Sequence, residues 1–95
     1  MSVYVDDMCA GYGRMKMCHM LADSHEELIA AAKAVGVGTY WIQKPGTYQE
    51  HFDICLRVRA DAVKKGAIEI DTRQLGLMLR ERRALAGERE PESGG

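Results

Sequence analysis

His51-Phe52-Asp53 sets two side chains that bind metals, move protons or grip anions on either side of an aromatic residue, with Arg57 four positions after Asp53. Read as a helix start, this order gathers free backbone N–H groups, His51 and the Arg57 guanidinium around one spot, a seat for a phosphate or carboxylate. The plainer assignment makes Asp53 a helix N-cap, His51 a solvent-facing residue and Asp53–Arg57 a surface pair. Asp6-Asp7 offers adjacent carboxylates that suit a divalent ion or ligand hydroxyls; alternatively they end a strand and cap a turn. His19 sits inside an apolar run, where a hydrogen-bonded core histidine competes with an acid–base role. Gln43 and Lys44 form a polar pair, and Trp41, beside Tyr40, could stack a planar group or fill the core.

The cysteines do not complete a zinc pattern. No Cys-x-x-Cys and no His-x-x-x-His is present, so no structural zinc site is expected and no residue is assigned as a metal ligand. Cys9, Cys18 and Cys55 read as reduced thiols, none singled out as a nucleophile.

The chemistry needs elements to hold it. Ser2-Val3-Tyr4-Val5 is a β-prone run that stops at Asp6-Asp7, and residues 8–13 read as a loop. Residues 14–22 form a second strand, with Met15, Met17, His19 and Leu21 on one face and Lys16, Cys18, Met20 and Ala22 on the other. Both faces are mostly apolar, as in an inner strand covered on both sides. Ser24 and Glu27 fit a capping box for a helix over residues 24–35, which Gly36 terminates. Thr39-Tyr40-Trp41-Ile42 reads as a short strand ending at Gln43-Lys44. Asp53 caps a second helix over 54–65, Ala67 to Ile70 is a strand, and Asp71-Thr72-Arg73-Gln74 starts a third helix, which the spacing of Leu75, Met78, Leu79 and Leu85 carries over 72–86.

This order describes a small α/β domain of about four mainly parallel strands and three helices, with residues 1–87 as one domain and 88–95 as a disordered tail. The alternative is an α+β fold in which the first strand pairs antiparallel to the second. In open α/β sheets ligands bind beyond the carboxyl ends of the strands. Asp6, Asp7, His19, Trp41, Gln43, Lys44, His51, Asp53 and Arg57 are therefore the candidate ligand-binding residues at one sheet edge.

Composition limits the function classes. The chain has 95 residues, with 13 Lys+Arg against 14 Asp+Glu and a net charge of -1. That balance excludes a generally basic nucleic-acid binder, so no nucleic-acid partner is expected. No apolar run approaches a membrane span and the N-terminus lacks a secretory h-region, which points to the cytoplasm and no membrane partner.

Three blocks carry a resemblance: Val3-Tyr4-Val5-Asp6-Asp7, then the run from Gly13 to Asp23, then Glu27-Leu28. Trp41-Ile42-Gln43-Lys44, His51-Phe52-Asp53 and Lys65-Gly66-Ala67 continue it in order. Together they resemble a bacterial and phage family known as a domain of unknown function, numbered four-zero-three-one, over roughly residues 2–83. The resemblance implies a free-standing cytoplasmic domain of a kind often found in phage or actinobacterial genomes and brings no established activity. Around residues 56–59 the family pattern is expected to read Ser-Lys-Arg, where this chain has Leu56-Arg57-Val58-Arg59.

Three functions compete. The first is binding of an anionic, nucleotide-like small molecule: Lys44, His51 and Arg57 meet phosphate, Trp41 stacks, and Asp6 or Asp7 accepts from ribose hydroxyls. In a phage such a protein would sequester a host nucleotide signal. The second is a metal-dependent phosphoester hydrolase with Mg or Mn on Asp6, Asp7 and Asp53, and His19 or His51 as acid or base; a cofactor is called for only in this alternative. The third is a protein or RNA interaction module using the arginines of the last helix. A homodimer through an open sheet edge is left open.

Overall fold

The apolar run Met15–Ala22 is the strand around which the sheet assembles. The structure, a computed structural model, describes residues 2–8, 10–12 and 15–87. Among them the order is β1 (Val3–Val5), β2 (Ala10–Tyr12), β3 (Met15–Ala22), α1 (His25–Ala34), β4 (Phe52–Cys55), α2 (Leu56–Lys64), β5 (Ile68–Glu69) and α3 (Thr72–Leu85), with a 3-10 turn at Thr39–Trp41 before β4. The expected tail, residues 88–95, lies outside the described residues, as do Cys9, Gly13 and Arg14 of the expected loop and strand start.

β1, β2 and β4 all pair antiparallel with β3, and β1 pairs parallel with β5. The fold is thus a mixed sheet with three helices, the α+β form of the two expectations, and its single parallel pair is reached through the crossover that contains α2. Met17 pairs with both Ala10 and Cys55, and Met20 with both Val5 and Phe52. A residue has only two strand neighbours, so β4 occupies one side of β3 while β1 and β2 share the other. Between them the register shifts, from Val5↔Met20 to Ala10↔Met17, and Asp6 sits at that break.

Side-chain alternation divides the sheet into two faces. Cys18, Met20 and Ala22 of β3, Val5 of β1 and Phe52 and Ile54 of β4 pack with Leu28 and Ala32 of α1 and Val58 and Ala62 of α2. This is the main core; Phe52 has no exposed surface, and its truncation to Ala would cost about 3–5 kcal/mol. The opposite face carries His19, Leu21 and Asp53. α3 lies against it through Leu75 and Leu79 and is tied at both ends: Asp7 accepts from the Thr72 backbone N–H at 3.0 Å, and Arg82 donates to the Ala22 carbonyl at 2.7 Å.

Two helix starts follow their sequence signals closely. Ser24 caps α1 through the Glu27 N–H at 3.1 Å, though the Glu27 carboxylate meets the Ser24 hydroxyl rather than a backbone N–H. Asp71 and Gln74 form a complete capping box on α3. Gly36 ends the α1 turn at φ +79°, a left-handed conformation that glycine adopts without a Cβ penalty.

Three expectations are corrected. Phe52-Asp53-Ile54-Cys55 is a strand, not the entry to a helix, because its two-residue alternation buries Phe52 and Ile54 against β3; α2 starts after Cys55, and Asp53 caps nothing. Thr39–Trp41 is a 3-10 turn rather than a strand: it pairs with no neighbour, and the Tyr40 ring folds over Gly38, where a Cβ would stand 2.6 Å from it. Part of the expected loop at 8–13 is β2, which closes against the start of β3.

Candidate metal centre

His19 and Asp53 face each other in register across β3 and β4, so both project from the face away from the main core. Gln43 and His51 form a two-bond bridge, with N–H to O=C distances of 2.8 and 3.1 Å, that extends the pairing and sets His51 two residues before Asp53 on the same face. The rings of His19 and His51 meet edge to face, with centroids 5.0 Å apart.

Each ring has one nitrogen committed. Asp6 is fully buried, and its carboxylate lies 2.7 Å from His19 Nδ1 and accepts from the His19 backbone N–H, also at 2.7 Å. His51 Nδ1 lies 2.7 Å from the Gln49 carbonyl. A carbonyl only accepts, so that nitrogen carries the proton, and a carboxylate imposes the same tautomer on His19. In its neutral form each ring then presents the lone pair of Nε2. Asp53 Oδ1 lies between them, 3.8 Å from His19 Nε2 and 3.5 Å from His51 Nε2, with no hydrogen bond to either.

The three ligand atoms lie within 4.8 Å of one another, and among the described residues no other His, Cys, Asp or Glu trio is so close. Ligands about 2.0–2.1 Å from a tetrahedral ion stand roughly 3.3–3.5 Å apart, so the two carboxylate–imidazole edges need to contract by only tenths of an ångström, and the imidazole–imidazole edge, which lies within 4.8 Å, by up to about 1.4 Å. Two imidazoles and one carboxylate suit Zn²⁺, Fe²⁺ or similar ions better than Mg²⁺, which prefers oxygen. A carboxylate behind His19 and a carbonyl behind His51 are the supports that metal-binding histidines normally have.

The surroundings hold this arrangement in place. The Arg59 side chain donates to the Asp6 carbonyl at 2.7 Å and pairs with Glu69 at 3.0 Å, which ties the end of β1 to α2 and β5. Lys44 adopts φ +49° and its ammonium donates to the Gln49 side chain at 3.3 Å. A cavity of about 120 Å³ is lined by His19 and His51, by Leu21 of β3, by Leu75 and Leu79 of α3, and by Lys44 and Gln49 of the loop before β4. A larger groove of about 390 Å³ between α1 and the end of α2 contains no histidine, and Glu27 and Lys65 are its charged residues. The acidity of Tyr4, on β1, is displaced. Burial first, and then the neighbouring Asp23 carboxylate, hold its phenol above the ordinary tyrosine range.

Of the nine residues picked out from sequence, Asp6, His19, His51 and Asp53 come together, with Lys44 on the adjoining cavity. Asp7 is spent on the N-terminus of α3, so the trio Asp6–Asp7–Asp53 does not assemble. Arg57 is exposed on α2, two positions before Arg59, which makes the contact to Asp6. Gln43 supports His51 through its backbone and donates its side-chain amide to the Trp41 carbonyl. Trp41 is 62% exposed and stacks obliquely on Tyr40. Gln49, Arg59, Leu75 and Leu79 carried no motif signal; for Leu75 and Leu79 the helical apolar stripe was the available clue.

Fold and cluster together define a small mixed-sheet domain bearing a two-histidine, one-carboxylate site. The chain belongs to the family described as "Protein of unknown function (DUF4031)", whose pattern matches residues 3–82. No curated protein and no solved structure matches it. No helix among the described residues is long and apolar enough to cross a membrane.

Proposed function

We propose that the protein binds a small anionic ligand at a divalent-metal centre formed by His19, His51 and Asp53, and that hydrolysis of this ligand, an ester or phosphoester, is the reaction. The observation that carries the reading is the convergence of His19 Nε2, His51 Nε2 and Asp53 Oδ1 while both Nδ1 atoms are committed elsewhere. Three protein ligands leave coordination positions for water and substrate, the pattern of catalytic rather than structural sites. A bound ion would polarise the scissile group and acidify a water. The chain itself supplies orientation and charge. Asp6 holds His19 in the required tautomer, the Gln49 carbonyl does so for His51, and Lys44 offers positive charge to the anionic group. This is the hydrolase alternative with a changed ligand set, in which histidines replace Asp6 and Asp7.

Elemental analysis and zinc, manganese and iron(II) titrations of the purified chain test the metal, and release of nitrophenol from nitrophenyl phosphate esters tests turnover. Stoichiometric uptake that His51→Ala and Asp53→Ala abolish is expected. Uptake no tighter in wild type than in these variants refutes the metal centre.

A second reading draws on the exposed Tyr40–Trp41 pair: capture of a nucleotide-like ligand without turnover, the phosphate at the metal and the base on Trp41. In that case the ligand is recovered unchanged and Trp41→Ala weakens its binding. A phage origin would give such capture a use in sequestering a host signal.

A further inference from the structure

We infer that the ligand of this centre is a compact anion carrying a short apolar group, its charge at the metal and Lys44 and its apolar part against Leu21, Leu75 and Leu79. The inference rests on the metal reading above and adds the substrate class. The cavity beside the histidines has two unlike parts. Lys44 and Gln49, linked at 3.3 Å, give it a polar, cationic edge. Leu21, Leu75 and Leu79, from β3 and α3, make the remaining lining aliphatic. A ligand of inorganic phosphate alone would leave this aliphatic part against water, whereas a short carbon chain would cover it.

Size argues in the same direction. At about 120 Å³ the cavity is well below the ~300–1,000 Å³ of sites that enclose drug-sized molecules. The cavity itself holds a substituent of a few carbons, whereas the ribose and base of a nucleotide would have to lie outside it. The occupant is bounded on one side by α3, which Asp7 and Arg82 tie down at its two ends, so the cavity has little room to widen.

The experiment is calorimetric titration of the zinc-loaded full chain with inorganic phosphate, with methyl-, propyl- and hexylphosphonate, and with AMP. Affinity should rise roughly fourfold per methylene from methyl to propyl, as burial of each CH₂ implies, and stop rising by hexyl. Leu79→Phe, which fills the cavity, should remove the rise while zinc affinity stays within about twofold of wild type; Leu79→Met, of similar volume, should keep it. Lys44→Met should weaken all the phosphonates by a common factor of about tenfold or more. A flat series in wild type, or AMP binding more tightly than propylphosphonate, overturns the inference and leaves the metal centre standing. Failure of wild type to take up zinc, manganese or iron(II) overturns the metal reading and the inference with it.

Discussion

Asp6 holds His19 by two bonds at once, one carboxylate oxygen on the backbone N–H and the other on the ring Nδ1, both 2.7 Å long. The residue that follows β1 therefore sets the position and the tautomer of a residue in the middle of β3. A buried carboxylate is costly unless it is hydrogen-bonded, and these contacts are what make its burial tolerable.

Asp6→Asn should separate orientation from folding. The amide oxygen can still accept from the His19 N–H, so the fold should survive, but the amide –NH₂ then faces Nδ1 and donates to it, which moves the ring proton to Nε2 and blocks its lone pair. Metal affinity should fall about 10–100-fold, as for other groups behind metal-binding histidines, measured against a competing chelator. Asp6→Ala should additionally lose about 1–3 kcal/mol of stability by orphaning buried donors, read from urea unfolding.

Asp53→Asn distinguishes the site from a helix cap. Asp53 caps no helix and its contacts to His19 and His51 are long, so the near-isosteric change should leave the apo protein within about 1 kcal/mol of wild type, the range for partly exposed ion pairs. Zinc should no longer raise the melting temperature, whereas in wild type free metal at a hundred times Kd should add about 2.7 kcal/mol. A large loss of apo stability would mean that the carboxylate is structural.

Asp7→Ala should do the reverse. Asp7 accepts from the Thr72 N–H and hydroxyl at the start of α3, and loss of such a contact costs about 0.5–2 kcal/mol. Metal titration should give the wild-type affinity, since Asp7 does not reach the cluster.

Lys44→Gly exchanges binding for local ease. Lys44 occupies a left-handed backbone position at φ +49°, where a Cβ costs roughly 1–2 kcal/mol, partly offset by glycine's greater unfolded-state entropy. Thermal unfolding should show stability unchanged or raised by up to about 1 kcal/mol, while phosphonate affinity falls. Unchanged affinity would remove Lys44 from the ligand site.

Acidification should release the metal. Both Nε2 atoms must be unprotonated to bind, so uptake is accompanied by proton competition and weakens as pH falls. Calorimetry in buffers of different ionisation enthalpy, repeated at successively lower pH, measures the protons displaced; pH-independent uptake would exclude histidine ligands.

Local signals determined much of this protein from the sequence alone. The alternation in residues 14–22 correctly divided His19 and Leu21 from Cys18, Met20 and Ala22, because side-chain direction in a strand depends only on parity. The α1 and α3 boundaries followed from Ser24, Gly36 and Asp71, whose effects reach no further than one helical turn. What lay beyond one turn was settled by tertiary pairing. Phe52-Asp53-Ile54-Cys55 can start a helix or form a strand, and only the register against β3, which buries Phe52 and Ile54 on the core side, turns Asp53 toward His19. Arg57 and Arg59 are equivalent in the sequence, yet only Arg59 reaches Asp6. Asp6 and Asp7 are adjacent and chemically alike, but alternation at the end of β1 sends one into the interior toward His19 and leaves the other for the first turn of α3. His51 and Asp53 stand two positions apart and were legible as a pair, but His19 lies more than 30 positions earlier, and no spacing rule connects it to them until the sheet has formed.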